Sequence, residues 1–259
     1  MEVIILCGGL GTRLREETEF RPKPMVNIGP RPILWHIMKI YAHYGHTEFI
    51  LPLGYKGEMI REYFVNYEWM NNDVTLELGK PETLCLHQCH DEAGWRITLA
   101  DTGPDTLKGG RLKRVEKYIK GDTFMLTYGD GVADIDIDAL VAFHKAHGKI
   151  VTLTGVGLAQ RFGELKVDGN RVSSFQEKPD HAGDSLINGG YMVLDRSIFD
   201  YLTSDKDCDL EYGPFERLAQ DGELMVRRHD GYWACMDTLR DTELLNRLWN
   251  EDRAEWKVW

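Results

Sequence analysis

The run Gly8-Gly9-Leu10-Gly11-Thr12-Arg13-Leu14 follows directly on the apolar stretch Val3 to Leu6, and that combination suits phosphate binding. Positions without side chains let backbone N–H groups close on an anion, and the C-terminal end of a first strand is where open α/β sheets place ligands. Arg13 follows the glycines, and Lys23 comes ten residues later inside Arg21-Pro22-Lys23-Pro24-Met25. Two prolines fix the backbone around this lysine, so its charge is aimed at low entropic cost, and with Arg13 it suits a triphosphate. The same residues would also serve as a tight turn beside two solvated cations. Two familiar phosphate-binding patterns are excluded: a dinucleotide fingerprint needs glycine where Leu14 stands, and a P-loop needs Gly-Lys-Ser or Gly-Lys-Thr after its spacer.

Two aspartates stand at positions where metal ligands are often found. Asp130 lies in Gly129-Asp130-Gly131 after an expected strand, and Asp237 lies past another strand, just before the last expected helix. Mg²⁺ takes one or two protein carboxylates together with phosphate oxygens and water, so the pair suits it, although each aspartate would equally suit a turn or a helix N-cap. Cys85-Leu86-His87-Gln88-Cys89-His90 offers four possible zinc ligands. Alternation would put residues 85, 87 and 89 on one strand face, unlike the two-residue spacing of structural zinc sites, and the segment reads as a strand.

The elements that must position these residues alternate as in a helix-covered parallel sheet. Strands are expected at Val3–Leu6, Glu48–Leu53, Val74–Leu78, Leu84–Gln88, Arg96–Ala100 and Thr123–Tyr128. Helices are expected from Ile33 to Tyr44, ending at Gly45, over Glu58–Tyr67 and over Arg111–Ile119; another is capped by Asp136 and buries Ile137, Leu140, Val141 and His144. Beyond Ile150 strands and turns take over, with a hairpin at Val167, Asp168-Gly169-Asn170 and Val172. Helices at Pro214–Gln220 and Thr238–Trp249 enclose an expected strand pair, Leu224–Arg228 and Tyr232–Cys235.

With 259 residues, 42% hydrophobic and 28% charged, one continuous domain is expected over residues 1–259, with the change of pattern after residue 150 inside it. The formal charge of −11 opposes nucleic acid and anionic lipid as partners. No apolar stretch approaches the roughly 20 residues of a membrane helix, and no cleavable export signal is expected at the N-terminus. Five cysteines in a chain of this size read as reduced thiols, hence a cytoplasmic protein.

The opening Gly-Gly-Leu-Gly-Thr-Arg-Leu with Lys23-Pro24-Met25 resembles the sugar-1-phosphate nucleotidyltransferases. The likeness continues through Pro32 to Met38, Gly54 to Gly57, Asp101 to Gly103, Gly109 to Arg114, Tyr128 to Gly131, Phe175 to Pro179, Met236 to Asp241 and Trp256 to Trp259, and is nearest to the branch that activates glucose 1-phosphate with CTP. The resemblance implies a Rossmann-like, GT-A-like α/β fold: a mixed, mostly parallel sheet flanked by helices, with a β-rich sugar-binding extension. It pairs Asp130 with Asp237 as Mg²⁺ ligands. It assigns Arg13, Lys23, Asp130 and Lys178 to catalysis, Lys178 on the phosphate of the sugar. It places Leu6, Cys7, Gly8, Gly9, Gly11, Thr12, Arg13, Lys23, Thr106, Arg111 and Gly129 around the nucleotide, and Glu177, Lys178, Asn188 and Gly189 around the sugar phosphate. A homo-oligomer, such as a hexamer, is implied as well, with residues 1–150 serving the nucleotide and residues 151–259 the sugar phosphate and closing the domain. Cys7 departs from the alanine usual in the opening, Glu255 from a common proline, and Glu164 adds a carboxylate near the sugar side.

The implied reaction is in-line attack of a sugar phosphate oxygen on the α-phosphorus of CTP, releasing pyrophosphate. The nucleophile is already ionised at neutral pH, so no general base is needed, and the protein aligns two anions and stabilises added charge. Transfer from UTP, dTTP or GTP, or to another sugar, would use the same parts. A nucleotide-sugar-binding regulatory subunit without activity would have no need of both aspartates and both lysines.

Overall fold

The protein, represented here by a computed structural model, is described over residues 1–87, 90–157 and 185–259, and by backbone alone at residues 81–82 and in the strands Glu164–Asp168 and Arg171–Gln176. Among the described residues its main sheet has seven strands. From one edge they run Leu224–His229, Val151–Gly157, Leu186–Asp195, Thr123–Tyr128, Val3–Leu6, Glu48–Leu53 and Arg96–Asp101. All are mutually parallel except Leu186–Asp195, which is antiparallel to both its neighbours. The fold is thus the α/β class expected, a mixed and mostly parallel sheet with helices on its faces.

Period-two alternation explains why these strands lie at the centre. Val3, Ile5, Phe49, Leu51 and Met125 point to one face, where Ile33, Ile37 and Tyr41 of the helix Ile33–His43 meet them. Ile4, Leu6, Ile50, Phe124 and Leu126 point to the other, against Leu112 and Val115 of the helix Lys108–Val115. Strands buried on both faces read as continuous apolar runs, which is how Val3–Leu6 and Glu48–Leu53 appear. The C-terminal tail seals the first face with Trp256, fully buried, whose indole N–H donates to His36 Nδ1 at 3.4 Å.

Several expectations shift in register or extent. The helix over residues 58–67 is two helices, Gly57–Val65 and Tyr67–Asn71. The helix over 111–119 begins earlier, at Lys108, and its last turn tightens to a 3₁₀ turn at Glu116–Tyr118. Asp136 caps its helix as expected, accepting from the Ala139 N–H at 2.8 Å. Pro214 and Gly213 force a kinked turn over Glu211–Phe215 ahead of the short helix Glu216–Gln220. The hairpin forms between Glu164–Asp168 and Arg171–Gln176, with Asp168 opposite Arg171; the turn residues 169–170 lie outside the described residues.

One expectation is overturned. Leu224–His229 and Trp233–Cys235 do not pair with each other: the first adds to Val151–Gly157 as an edge strand, and the second pairs antiparallel with Gly131–Ala133. Each finds an open backbone ladder elsewhere, and using both satisfies more backbone groups than a mutual hairpin would. In the cysteine and histidine segment, Thr75 Oγ1 meets His87 Nε2 at 3.0 Å, and His90 faces Glu68 and Glu92. Gln88 and Cys89 lie outside the described residues. Among the described residues no helix is long and apolar enough to cross a membrane.

Candidate active site

The parallel strands Val3–Leu6, Glu48–Leu53, Arg96–Asp101 and Thr123–Tyr128 all end at one edge of the sheet, so the segments that follow them share one rim. Leu186–Asp195 runs the other way and begins there, bringing Asn188, Gly189 and Gly190 to the same rim. The rim encloses a cleft of about 630 Å³, within the size range of small-molecule sites. Leu6, Cys7, Gly8, Gly9, Gly11, Thr12, Arg13, Lys23, Thr106, Arg111, Gly129, Asp130, Asn188, Gly189 and Asp237 all line it. Glu177 and Lys178 lie outside the described residues, and of Glu164 only the strand backbone is described.

Sheet pairing brings the two aspartates together. Cys235 stands opposite Gly131 in the short ladder, and the Met236 N–H donates to the Asp130 carbonyl at 2.9 Å, so Asp237 emerges beside Asp130. The Thr238 N-cap and Asp241 form a capping box at the start of Leu239–Asn250, and Asp241 also accepts from the Asp237 N–H at 3.2 Å. Between the carboxylates lies Lys23, largely buried: its Nζ donates to Asp130 Oδ2 at 2.6 Å and to Asp237 Oδ1 at 2.5 Å. Arg13, on the exposed side, donates to Asp237 Oδ2 at 2.6 Å. Burial alone would lower the Lys23 ammonium, but Asp130 and Asp237 outweigh it and hold it above the ordinary lysine value. Burial alone would raise Asp237; its hydrogen bond to Lys23 and the charges of Lys23 and Arg13 carry it below the ordinary carboxylate range instead. Among the described residues, Asp130, Cys235 and Asp237 are the only group of three or more His, Cys, Asp or Glu side chains whose ligand atoms come close enough to share an ion, all within 4.8 Å of one another. Two hard oxygen donors on a rim open to solvent suit Mg²⁺.

The glycine loop is braced from beneath. Arg111 is buried and donates through Nη1 to the Leu53 and Gly103 carbonyls and to Thr102 Oγ1, and through Nη2 to the Gly8 and Pro104 carbonyls, at 2.7–3.0 Å. A Cβ at Gly8 or at Gly54 would fall inside its guanidinium; that close approach is why glycine stands at both. Burial and then Arg114 lower Arg111 from its ordinary value. The arginine expected beside the nucleotide lines the cleft, yet its terminal nitrogens are spent on the backbone that shapes it. Thr106 is likewise buried and accepts from Arg114 at 2.8 Å. Gly11 adopts φ 62°, a left-handed conformation that turns the chain into Thr12–Leu14, and Thr18 Oγ1 donates to its carbonyl at 3.0 Å. Cys7, fully buried, has its thiol pushed up by burial.

Sequence reasoning missed part of the lining. Tyr128, Lys108, Glu211, Trp233 and Cys235 also face the cleft. Tyr128 opens the segment Tyr128 to Gly131 that carries the resemblance, but was given no role of its own. Glu211 sits ahead of a Gly-Pro turn, with nothing in its neighbourhood to mark it.

The comparisons agree with this architecture. The nucleotidyl transferase family model matches residues 2–241. The chain is 50% identical over 260 aligned positions to the glucose-1-phosphate cytidylyltransferase of Salmonella typhi, and 46% identical over 259 to the probable glucose-1-phosphate cytidylyltransferase of Bacillus subtilis (strain 168), covering 100% of both chains in each case. Among solved structures, HddC from Yersinia pseudotuberculosis superposes with a TM-score of 0.68 at 22% identity, covering 96% of this chain and 99% of the other. A putative glucose-1-phosphate thymidylyltransferase from Bacillus anthracis gives 0.67 at 19%, covering 96% and 94%. At those identities the two structures speak for the fold alone.

Proposed function

Because the chain belongs to the nucleotidyl transferase family, with cytidylyltransferase relatives matching it from end to end, we propose that it transfers CMP from CTP to α-D-glucose 1-phosphate, giving CDP-glucose and pyrophosphate. The observation carrying this reading is the convergence of Lys23 on Asp130 and Asp237 at the rim of the glycine loop. Nucleotidyl transfer needs two anions aligned and little else from the protein, and this rim holds fixed cations next to paired carboxylates.

Asp130 and Asp237 would hold Mg²⁺. When bound, the ion supplies charge neutralisation at phosphate oxygens. Arg13 and Lys23 neutralise the triphosphate against the backbone of Gly8 to Thr12, and Lys178 positions the acceptor phosphate. Thr106, held by Arg114, and the segment braced by Arg111 shape the nucleotide end. Glu177, Asn188 and Gly189 hold the sugar. An oxygen of the acceptor phosphate attacks the α-phosphorus, and the bond to the pyrophosphate oxygen breaks opposite it; no proton need be removed from the nucleophile. The setting is cytoplasmic, and the working form is a homo-oligomer. Exposed Met70, Leu76 and Leu78, between 55% and 88% accessible, support apolar contact between copies.

The test is pyrophosphate release from purified protein with Mg²⁺ and glucose 1-phosphate, with CTP, UTP, dTTP, GTP and ATP tried separately at equal concentration. CTP-selective release is expected. Release with another nucleotide would keep the chemistry and overturn the base, and silence with all five would overturn the acceptor or the activity.

A further inference from the structure

A chain of hydrogen bonds with a fixed direction runs beneath the sugar end of the cleft. Glu211 Oε1 accepts from the Tyr128 hydroxyl at 2.5 Å and pairs with the Lys108 ammonium at 2.6 Å. The Tyr128 oxygen accepts from Asn188 Nδ2 at 3.0 Å, and Asn188 Oδ1 accepts from the Gly190 N–H at 2.9 Å. Lys108 also lies 5.5 Å from the centre of the Tyr128 ring. Glu211 reaches this point from the kinked turn Glu211–Phe215, far in sequence from the other members.

The direction follows from donor and acceptor counts. A hydroxyl has one proton, and a carboxylate can only accept. With that proton committed to Glu211, Tyr128 can offer Asn188 only a lone pair, so the amide must turn its NH₂ toward the ring. The Gly190 N–H can only donate, so it demands Oδ1 on its own side. Both constraints fix the same rotamer of an amide whose two ends are otherwise nearly equivalent in shape. Burial and the neighbouring Glu211 carboxylate push the Tyr128 hydroxyl up, so it keeps its proton. Without Glu211, Tyr128 is free to turn its proton toward Asn188, and the amide orientation then rests on the Gly190 N–H alone.

We propose that Glu211 is a positioning residue for the acceptor sugar: by accepting the Tyr128 hydroxyl's hydrogen bond it locks the Asn188 amide with one polarity, so that a second N–H of Nδ2 and a lone pair of Oδ1 are presented in fixed places to the hydroxyls of the bound sugar. This rests on Asn188 contacting the sugar, as proposed above. It adds a residue with no sugar contact of its own, and it makes Lys108, on the helix that follows Thr106, the partner that anchors Glu211.

The experiment is a double-mutant cycle in the full-length protein, with Glu211→Met, Asn188→Ala and the double variant. Gln would keep an amide oxygen facing both Lys108 and Tyr128, so Met is used: it has about the length of Glu but is at most a weak acceptor, and leaves the Tyr128 hydroxyl free to turn toward Asn188. Glu211→Met is expected to raise KM for glucose 1-phosphate about tenfold, the size of one well-placed hydrogen bond, while KM for CTP stays within about twofold. In the Asn188→Ala background the same change is expected to do nothing further. Multiplying effects, or an equal rise in KM for CTP, would overturn the proposal. Tyr128→Phe, which removes one oxygen, carries the same test if Glu211→Met lowers the melting temperature sharply, and calorimetric binding of glucose 1-phosphate supplies a readout independent of turnover. The wild-type chain reports separately on the parent reading: no binding of glucose 1-phosphate by wild type overturns both, whereas wild-type binding with a multiplicative cycle overturns only the role of Glu211.

Discussion

Lys23 Nζ stands 2.6 Å from Asp130 Oδ2 and 2.5 Å from Asp237 Oδ1, at the place two carboxylates would otherwise offer to a divalent cation. Arg13 takes the other oxygen of Asp237 at 2.6 Å. Two positive side chains balance two negative ones, so the site is neutral without substrate. A metal ion arriving alone must displace an ammonium held on both sides. A nucleotide arriving with its metal ion brings phosphates to which both cations can move.

The protein without nucleotide is therefore expected to bind Mn²⁺, a spectroscopic stand-in for Mg²⁺, weakly, and to bind it tightly once CTP is present. Lys23→Met frees both carboxylates and is expected to tighten Mn²⁺ binding without nucleotide by about tenfold or more, while lowering kcat by about 10²–10³-fold through loss of transition-state charge stabilisation. Electron paramagnetic resonance of free Mn²⁺ reads the first, and pyrophosphate release the second. Weaker Mn²⁺ binding in the variant would show that Lys23 organises the carboxylates instead of competing for them.

Gly8 and Gly9 are neighbours with opposite tolerance. A Cβ at Gly8 would intrude on the Arg111 guanidinium, whereas one at Gly9 meets nothing within 4 Å. Gly8→Ala is expected to lower stability by about 2–4 kcal/mol, because the guanidinium must leave buried carbonyls unpaired. Gly9→Ala is expected to leave stability within about 0.5 kcal/mol. Chemical denaturation of the two variants side by side decides it, and equal losses would mean that the loop yields at both positions.

His36 is wholly buried in its neutral form: Nε2 donates to the Ile28 carbonyl at 2.9 Å, and Nδ1 accepts from Trp256. Burial lowers it from 6.5 to about 4, and burial lowers His144, which meets Thr152 Oγ1 through Nδ1 at 2.9 Å, to about 4 as well. In the unfolded chain both take a proton near pH 6.5. The unfolded state therefore binds more protons between these values, and stability rises with pH across that window. The contribution is complete above about pH 6.5 and lost as pH falls to about 4, on the order of 3 kcal/mol for the fully buried His36. Urea midpoints measured from pH 7 to pH 4 are expected to fall, and His36→Gln is expected to fall less steeply over the same interval.

How much of this was legible in the sequence depended on how local the cause was. Val3–Leu6, Glu48–Leu53 and Thr123–Tyr128 were legible because burial on both faces writes an unbroken apolar run. The glycine loop and Lys23 were legible because tight turns and proline-fixed backbone leave strong residue signatures. The adjacency of Asp130 and Asp237 was not legible in spacing and was anticipated only by the family resemblance; it comes from the pairing of Trp233–Cys235 with Gly131–Ala133, a long-range ladder that nothing in the sequence reading anticipated. The mispaired strand Leu224–His229 has the same origin, since its partner Val151–Gly157 lies far away in sequence. Arg111 looked like a ligand contact, and the five bonds that spend its terminal nitrogens on the loop come from several separate segments.

Asp237 is held from behind as well as in front. Its N–H donates to Asp241 Oδ2 at 3.2 Å, and the same oxygen accepts from the Thr238 N–H at 2.9 Å and from the Thr238 hydroxyl at 2.8 Å. Thr238 in turn caps the helix Leu239–Asn250 by accepting from the Asp241 N–H at 3.3 Å. Removing the hydroxyl and removing the carboxylate should therefore have different signatures. Thr238→Ala loses the cap and is expected to cost about 1 kcal/mol of stability, with Asp241 still holding the Asp237 backbone and the Mg²⁺ requirement close to wild type. Asp241→Ala removes the acceptor on which the Asp237 N–H depends, and is expected to raise the Mg²⁺ concentration for half-maximal pyrophosphate release by about tenfold on top of a similar loss of stability. Measuring denaturation midpoint and Mg²⁺ activation in both variants separates the roles; an unchanged Mg²⁺ requirement in Asp241→Ala would mean that Asp237 is positioned by its strand alone.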